Sequence, residues 1–118
     1  MIDHVKNNNG DVVSTTKPKA YKTIMSSEEA QTISELMQQV VNSGTASALS
    51  GNEYSVAGKT GSAEFYKEDG SMGTHSWFVG FSNVENPDIV VCVLAEGAGT
   101  GSSVAVPIAE EIFDEYYD

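Results

Sequence analysis

The sequence predicts an α+β fold, a small antiparallel sheet packed with two amphipathic helices. Three observations predict it. Two β-prone runs, "HSWFVGFSNV" and "DIVVCVLAE", are separated by the tight turn "ENPD", so they must pair antiparallel. A third run, residues 54–66, precedes them across the turn "KEDGSMGT" and completes a sheet over residues 54–96. Two segments with apolar residues at helical period flank these strands.

Taken in order, "MIDHVKNNNGDVV" predicts an N-terminal hairpin over residues 1–15, because Asn9-Gly10 is a strong turn signal between short β-prone runs. "STTKPKAYKTIM" is a connector broken by Pro18. A helix over 26–43 follows. Ser26 and Glu29 have capping-box spacing, Ala30, Ile33, Met37, Val40 and Val41 recur at helical period, and Gly44 supplies the stop. "TASALSGNE" is a loop into the first sheet strand, and "GAGTGSS" is a flexible link after the last. Residues 104–117 form the closing helix, with Ala105, Ile108, Ala109, Ile112, Phe113 and Tyr116 on one stripe and Pro107 in its first turn. The 118 residues suit one domain with one core.

Composition excludes several functions. The chain holds 6 lysines and no arginine against 17 acids, for a net charge of −11. Nucleic acid and anionic membranes both require clustered cations, so neither is a partner. No run of about 20 apolar residues spans a membrane, and "MIDHVKNNNG" is no signal peptide. The single cysteine, Cys92, forms no internal disulfide and is expected as a buried core thiol inside "IVVCVL". His4 and His75 lie far apart and no ligand cluster has metal spacing, so no metal is expected. Glu110, Glu111, Asp114 and Glu115 read as the wet face of the last helix.

The stretch "YSVAGKTGSAEF" carries the candidate site. Lys59 stands inside a strand pattern, with Gly58 before it and Gly61 two residues after. A cation inside a strand is costly unless an anion meets it. Glycine weakens a strand and marks close approach by another backbone or a ligand. A phosphate-loop reading of "GKT" fails because Glu53 stands where the motif needs a glycine. A dinucleotide reading of "GAGTGSS" fails at Ser102, where the third glycine belongs, so no cofactor is expected.

"GTASALSGNEYSVAGKTGSAEF", then "HSWFVGF", "DIVVCVLAEG" and a closing amphipathic helix, together resemble the C-terminal part of a penicillin-binding protein transpeptidase domain, most of all the class B, monofunctional type. The resemblance implies a transpeptidase and β-lactamase-like fold, and an enzyme that cross-links peptidoglycan by serine acyl transfer from a D-Ala-D-Ala stem peptide. β-lactams acylate the same serine. It implies substrate-binding roles for Lys59, Thr60, Gly61 and Ser62. Lys59 sets positive charge beside the ligand carboxylate, Thr60 and Ser62 offer hydroxyls, Gly61 lets the substrate backbone lie close, and the Ser62 N–H is one oxyanion donor. It also implies an extracytoplasmic enzyme tethered by an N-terminal membrane helix that this chain does not contain.

The family's other motifs, S-x-x-K and S-x-N, find matches in Ser14-Thr15-Thr16-Lys17 and Ser50-Gly51-Asn52. Both read as chance. The family's nucleophile opens a helix, whereas Pro18 directly after Lys17 disfavours helix there. The second match lies in the loop leading straight into the K-T-G strand. The expectation is therefore a fragment carrying one wall of the active site, with the nucleophile on chain outside it. In the resembled fold the sheet continues beyond "DIVVCVLAE" into strands outside this sequence. Residues 88–96 would then form a raw edge, through which the chain self-associates. Two rivals stand beside this reading: a non-catalytic acidic binding module, and a stand-alone serine hydrolase using Ser14.

Overall fold

A computed structural model of the protein describes residues 2–17 and 19–118. Met1 and Pro18, to which the hairpin's start and the connector's break were assigned, lie outside the described residues. Strands β1 (His4–Lys6) and β2 (Val12–Thr15) form a separate two-stranded antiparallel sheet. Its turn is set by Asn7, whose side-chain oxygen accepts from the N–H groups of Asn9 and Asp11, and by Gly10 at φ 89°. Every described residue of this hairpin is exposed.

Helix α1 (Ser27–Ser43) starts at the expected capping box. The Ser26 N–H donates to Glu29 at 2.7 Å, and the Glu29 N–H donates to Ser26 Oγ at 3.2 Å. The Ser26 backbone N–H, and after it the Ser26 hydroxyl, hold the Glu29 carboxyl below its ordinary range. Only the last turns of α1 reach the core. Val41 is buried, while Ile33 is 44% exposed and Leu36 63%. A short 3-10 turn (Ser47–Leu49) then buries Leu49.

The second sheet has the order β3 (Val56–Tyr66), β4 (Met72–Ser82), β5 (Ile89–Ala95), antiparallel throughout. β4 begins earlier than its apolar run because pairing with β3 continues to Tyr66 opposite Met72. The reversal is confined to a tight turn closed by the Lys67 N–H on the Ser71 carbonyl, with Gly70 at φ 81°. A wide turn (Gly101–Ala105) leads into α2 (Val106–Tyr117), so the second half of the expected flexible link is ordered structure.

α2 covers one face of this sheet. Residues directly opposite in register share a face. Gly58, Gly80 and Val91 form one such row, and Thr60, Phe78 and Val93 the next. Phe78, Val91 and Val93 pack there with Ala105, Val106, Ala109 and Phe113 of the helix region. Ile108, Ile112 and Tyr116, expected on the buried stripe, remain at least 38% exposed. The paired glycines make room for Phe78. A Cβ on Gly58 would lie 2.5 Å from the Phe78 ring, and one on Gly80 2.6 Å from it.

The opposite face is largely open. Trp77 is 40% exposed, Val79 43%, Leu94 45% and Val90 71%. Cys92 lies in that row, opposite Val79, and is exposed rather than buried as expected. The reason is alternation: in an apolar run covered on one face only, every second residue faces out. No helix among the described residues is long and apolar enough to cross a membrane.

Candidate functional site

The free edge of β3 follows from its ladder. The Asn83 N–H donates to the Ser55 carbonyl at 2.8 Å, and the Lys67 N–H to the Ser71 carbonyl at 2.9 Å. Both bonds belong to the unbroken β3–β4 register, so the odd-numbered residues of β3 bond inward to β4. Gly58, Thr60, Ser62 and Glu64 therefore point their backbone N–H and C=O groups outward. Among the described residues no other strand pairs with this edge.

Lys59 is exposed, and its Nζ donates to the outward carbonyl of Thr60 at 2.7 Å. Thr60 and Ser62 stand on the opposite face from Lys59, as alternation requires. Thr60 Oγ1 lies 2.6 Å from Thr45 Oγ1, just past the C-terminus of α1. Ser62 Oγ accepts from the Gly101 N–H at 3.2 Å. Gly61 is flanked closely: a Cβ there would lie 3.3 Å from Trp77 Cβ. On its other side Gly101 lies flat on the strand, and a Cβ on Gly101 would come within 2.7 Å of the carbonyl oxygens of Gly61 and Trp77.

Two anchors hold this arrangement. The wholly buried Ser76 donates to the Thr100 carbonyl at 2.7 Å and accepts from the Ala105 N–H at 3.1 Å, seating the wide turn on the sheet. Tyr54, at the entry to β3, stacks on Tyr117 with centroids 4.7 Å apart and donates its hydroxyl to Asp114. Burial, then the Asp114 carboxylate, pushes the Tyr54 phenol well above its ordinary value. Tyr117 in turn bonds Ser82 Oγ at 2.8 Å, so α2 clamps the strand ends on both sides.

All four expected residues, Lys59, Thr60, Gly61 and Ser62, thus lie along one open edge. The other motif matches lie apart from it. Ser14 is on exposed β2 opposite Val5, not at a helix start. Ser50 Oγ donates to the Ser47 carbonyl, and Asn52 donates to the Tyr54 hydroxyl at 3.2 Å. They line a cavity of about 290 Å³ with Gln38 and Val41, which does not include Lys59. Its lining carries the acid Glu53 and no lysine, so the edge of β3 is the better candidate for an anionic ligand. Thr45 and Gly101 escaped the sequence reading because one sits in a polar loop and the other in a Gly-rich link. The only signal for Thr45 was its place within a segment that resembles the family, and Gly101 lies between such segments.

The family model described as the penicillin binding protein transpeptidase domain matches residues 1–114. The chain belongs to this transpeptidase family. It is similar to the peptidoglycan D,D-transpeptidase MrdA of Haemophilus influenzae, with 36% identity over 94 residues, covering 68% of this chain and 14% of the relative. It is 29% identical over 116 residues to the peptidoglycan D,D-transpeptidase PbpA of Mycolicibacterium smegmatis, covering 92% of this chain and 23% of that protein. The chain thus spans less than a quarter of the length of either transpeptidase. Among solved structures, the D,D-transpeptidase domain of a peptidoglycan glycosyltransferase from Eggerthella lenta superposes with a TM-score of 0.75 at 31% identity, over 96% of this chain and 27% of that one. Penicillin-binding protein A of M. tuberculosis, solved as a ceftriaxone acyl-enzyme, shares the fold with a TM-score of 0.80 at 24% identity, over 95% of this chain and 26% of that one.

Proposed function

We propose that this chain forms the K-T-G wall of the active-site cleft in a D,D-transpeptidase. That enzyme cross-links peptidoglycan by serine acyl transfer and is acylated by β-lactams. The observation that carries the reading is the free edge of β3, where an exposed lysine, two hydroxyls and outward backbone groups converge on residues 59–62. A stem peptide pairs along this edge as an added strand, and Gly61 lets its backbone come close. Its terminal carboxylate, or that of a β-lactam, meets the Thr60 and Ser62 hydroxyls in the positive field of Lys59. The outward Ser62 N–H is aimed where an oxyanion develops. The nucleophile and its lysine are supplied by residues other than Ser14 and Lys17. The enzyme works outside the cytoplasm, anchored to the membrane. The family match and the D,D-transpeptidase relatives support this reading.

The opposite edge supports a second inference, self-association through β5. Its inward bonds go to β4 through the odd-numbered residues, which leaves Val90, Cys92 and Leu94 with outward backbone groups and apolar side chains.

Intact-mass measurement after incubation with excess penicillin tests the assignment of the nucleophile. The 118-residue chain is expected to gain no mass. A stoichiometric adduct that disappears in Ser14→Ala would instead mark a stand-alone serine hydrolase. If a longer polypeptide carrying this chain also fails to acylate, the non-catalytic binding module is favoured.

A further inference from the structure

We propose that Thr45 and Gly101 are positioning residues, which aim the hydroxyl protons of Ser62 and Thr60 outward at one ligand carboxylate. This inference rests on the substrate-binding role of the β3 edge and names what orients it.

Ser62 is the clearer half. A backbone N–H can only donate, so in its bond with Gly101 the Ser62 oxygen must accept. The Ser62 proton is left free, and the side chain is exposed at the edge. Gly101 reaches Ser62 because it has no Cβ. A methyl group there would collide with the carbonyl oxygens of Gly61 and Trp77, each at 2.7 Å. The turn that carries Gly101 is fixed from behind by both bonds of the buried Ser76.

Thr60 has a hydroxyl partner that can run either way. If Thr60 donated to Thr45, a carboxylate would face the lone pairs of Thr60 and be repelled. With an anion at the edge, the favoured chain runs from Thr45 to Thr60 to the carboxylate, and each bond polarises the next. Thr60 and Ser62 are two residues apart on one face, about 7 Å along a strand, which lets one carboxylate bridge both hydroxyls. Glu64, exposed two residues further on the same face, repels an anion and confines it to this pair. In a chain of net charge −11, such local aiming decides whether a carboxylate binds at all.

The test compares two probes in a full-length transpeptidase that carries these residues as its K-T-G segment. The probes are benzylpenicillin and its methyl ester, and the readout is the second-order acylation rate. Thr45→Val should slow benzylpenicillin about tenfold, leave the ester within about threefold, and be rescued by Thr45→Ser. Gly101→Ala should show the same selectivity for the carboxylate probe. On the 118-residue chain, amide exchange at Gly101 should accelerate about tenfold in Ser62→Ala. Equal slowing of both probes would mark Thr45 and Gly101 as merely structural and overturn the proposal, as would wild-type rates in both variants or unchanged Gly101 exchange. A wild-type enzyme acylated by neither probe would remove the substrate-binding reading itself, and the proposal with it.

Discussion

The two outer strands of the main sheet differ in what their outward-bonding residues carry. On β3 these are Val56, Gly58, Thr60, Ser62, Glu64 and Tyr66, and on β5 they are Val90, Cys92 and Leu94. Both edges offer the same backbone groups to an incoming strand. β3 adds hydroxyls, a neighbouring lysine and small residues, which suit a polar peptide ending in a carboxylate. β5 adds only apolar surface, which suits another hydrophobic strand. An edge's backbone makes it a template, and its side chains decide for what.

The largest effect expected on this comparison comes from charging β5. Val90 is 71% exposed and Val91 6%, and they face opposite ways. Val90→Lys should leave the fold intact and turn associated species into monomer, read by light scattering after size exclusion. Val91→Lys buries an unpaired cation against α2 and should cost about 4 kcal/mol or more, enough to unfold the chain. A wild-type chain that stays monomeric at high concentration would mean that the apolar edge recruits nothing.

Next, the glycines of β3 should separate its buried end from its working end. Gly58→Ala drives a methyl into the Phe78 ring and should destabilise the fold by about 2–3 kcal/mol by denaturant unfolding. Gly61→Ala meets only the Trp77 side chain, with its Cβ at 3.3 Å and its Cγ at 3.9 Å. It should cost less than about 1 kcal/mol, while still blocking close approach of a ligand backbone. Equal costs would erase the distinction between the two halves of the strand.

This division explains what was legible in sequence. Elements with local punctuation were legible: the Ser26–Glu29 box that starts α1, the Asn9-Gly10 turn, and the β4–β5 hairpin. The K-T-G residues drew notice because a lysine between glycines contradicts an ordinary strand, and the structure puts them on the free edge of β3. The exposure of Cys92 was not, because an apolar run looks the same whether one face or both are covered. The turn at Gly101–Ala105 was also hidden, because its order comes from Ser76 and Ser62, far away in sequence. Gly58 read as a mark of ligand approach, yet its missing side chain makes room for Phe78.

A smaller effect concerns the anchor of β3. Tyr54→Phe removes the hydroxyl bonded to Asp114 and should cost about 1 kcal/mol at neutral pH. The Tyr54 phenol is raised in the folded state, so its contribution is fully present below the unfolded tyrosine value of about 10 and is lost as pH rises above it. Denaturant midpoints measured from pH 8 to 11 should therefore fall more steeply for the wild type than for Tyr54→Phe. Parallel curves would show that this hydroxyl does not link the strand's stability to pH.

The central claim is that the β3 edge serves a ligand and not the fold, and Lys59→Ala tests it most directly. The measurement pairs two numbers for one substitution: the β-lactam acylation rate in a full-length enzyme carrying this segment, and the unfolding free energy of the 118-residue chain. Lys59 is exposed and bonds only the Thr60 carbonyl beside it. The account predicts a loss of about 100-fold or more in acylation, with stability unchanged to within about 0.5 kcal/mol. A stability loss of about 2 kcal/mol with acylation intact would contradict it, and would make Lys59 a structural residue of an ordinary edge strand.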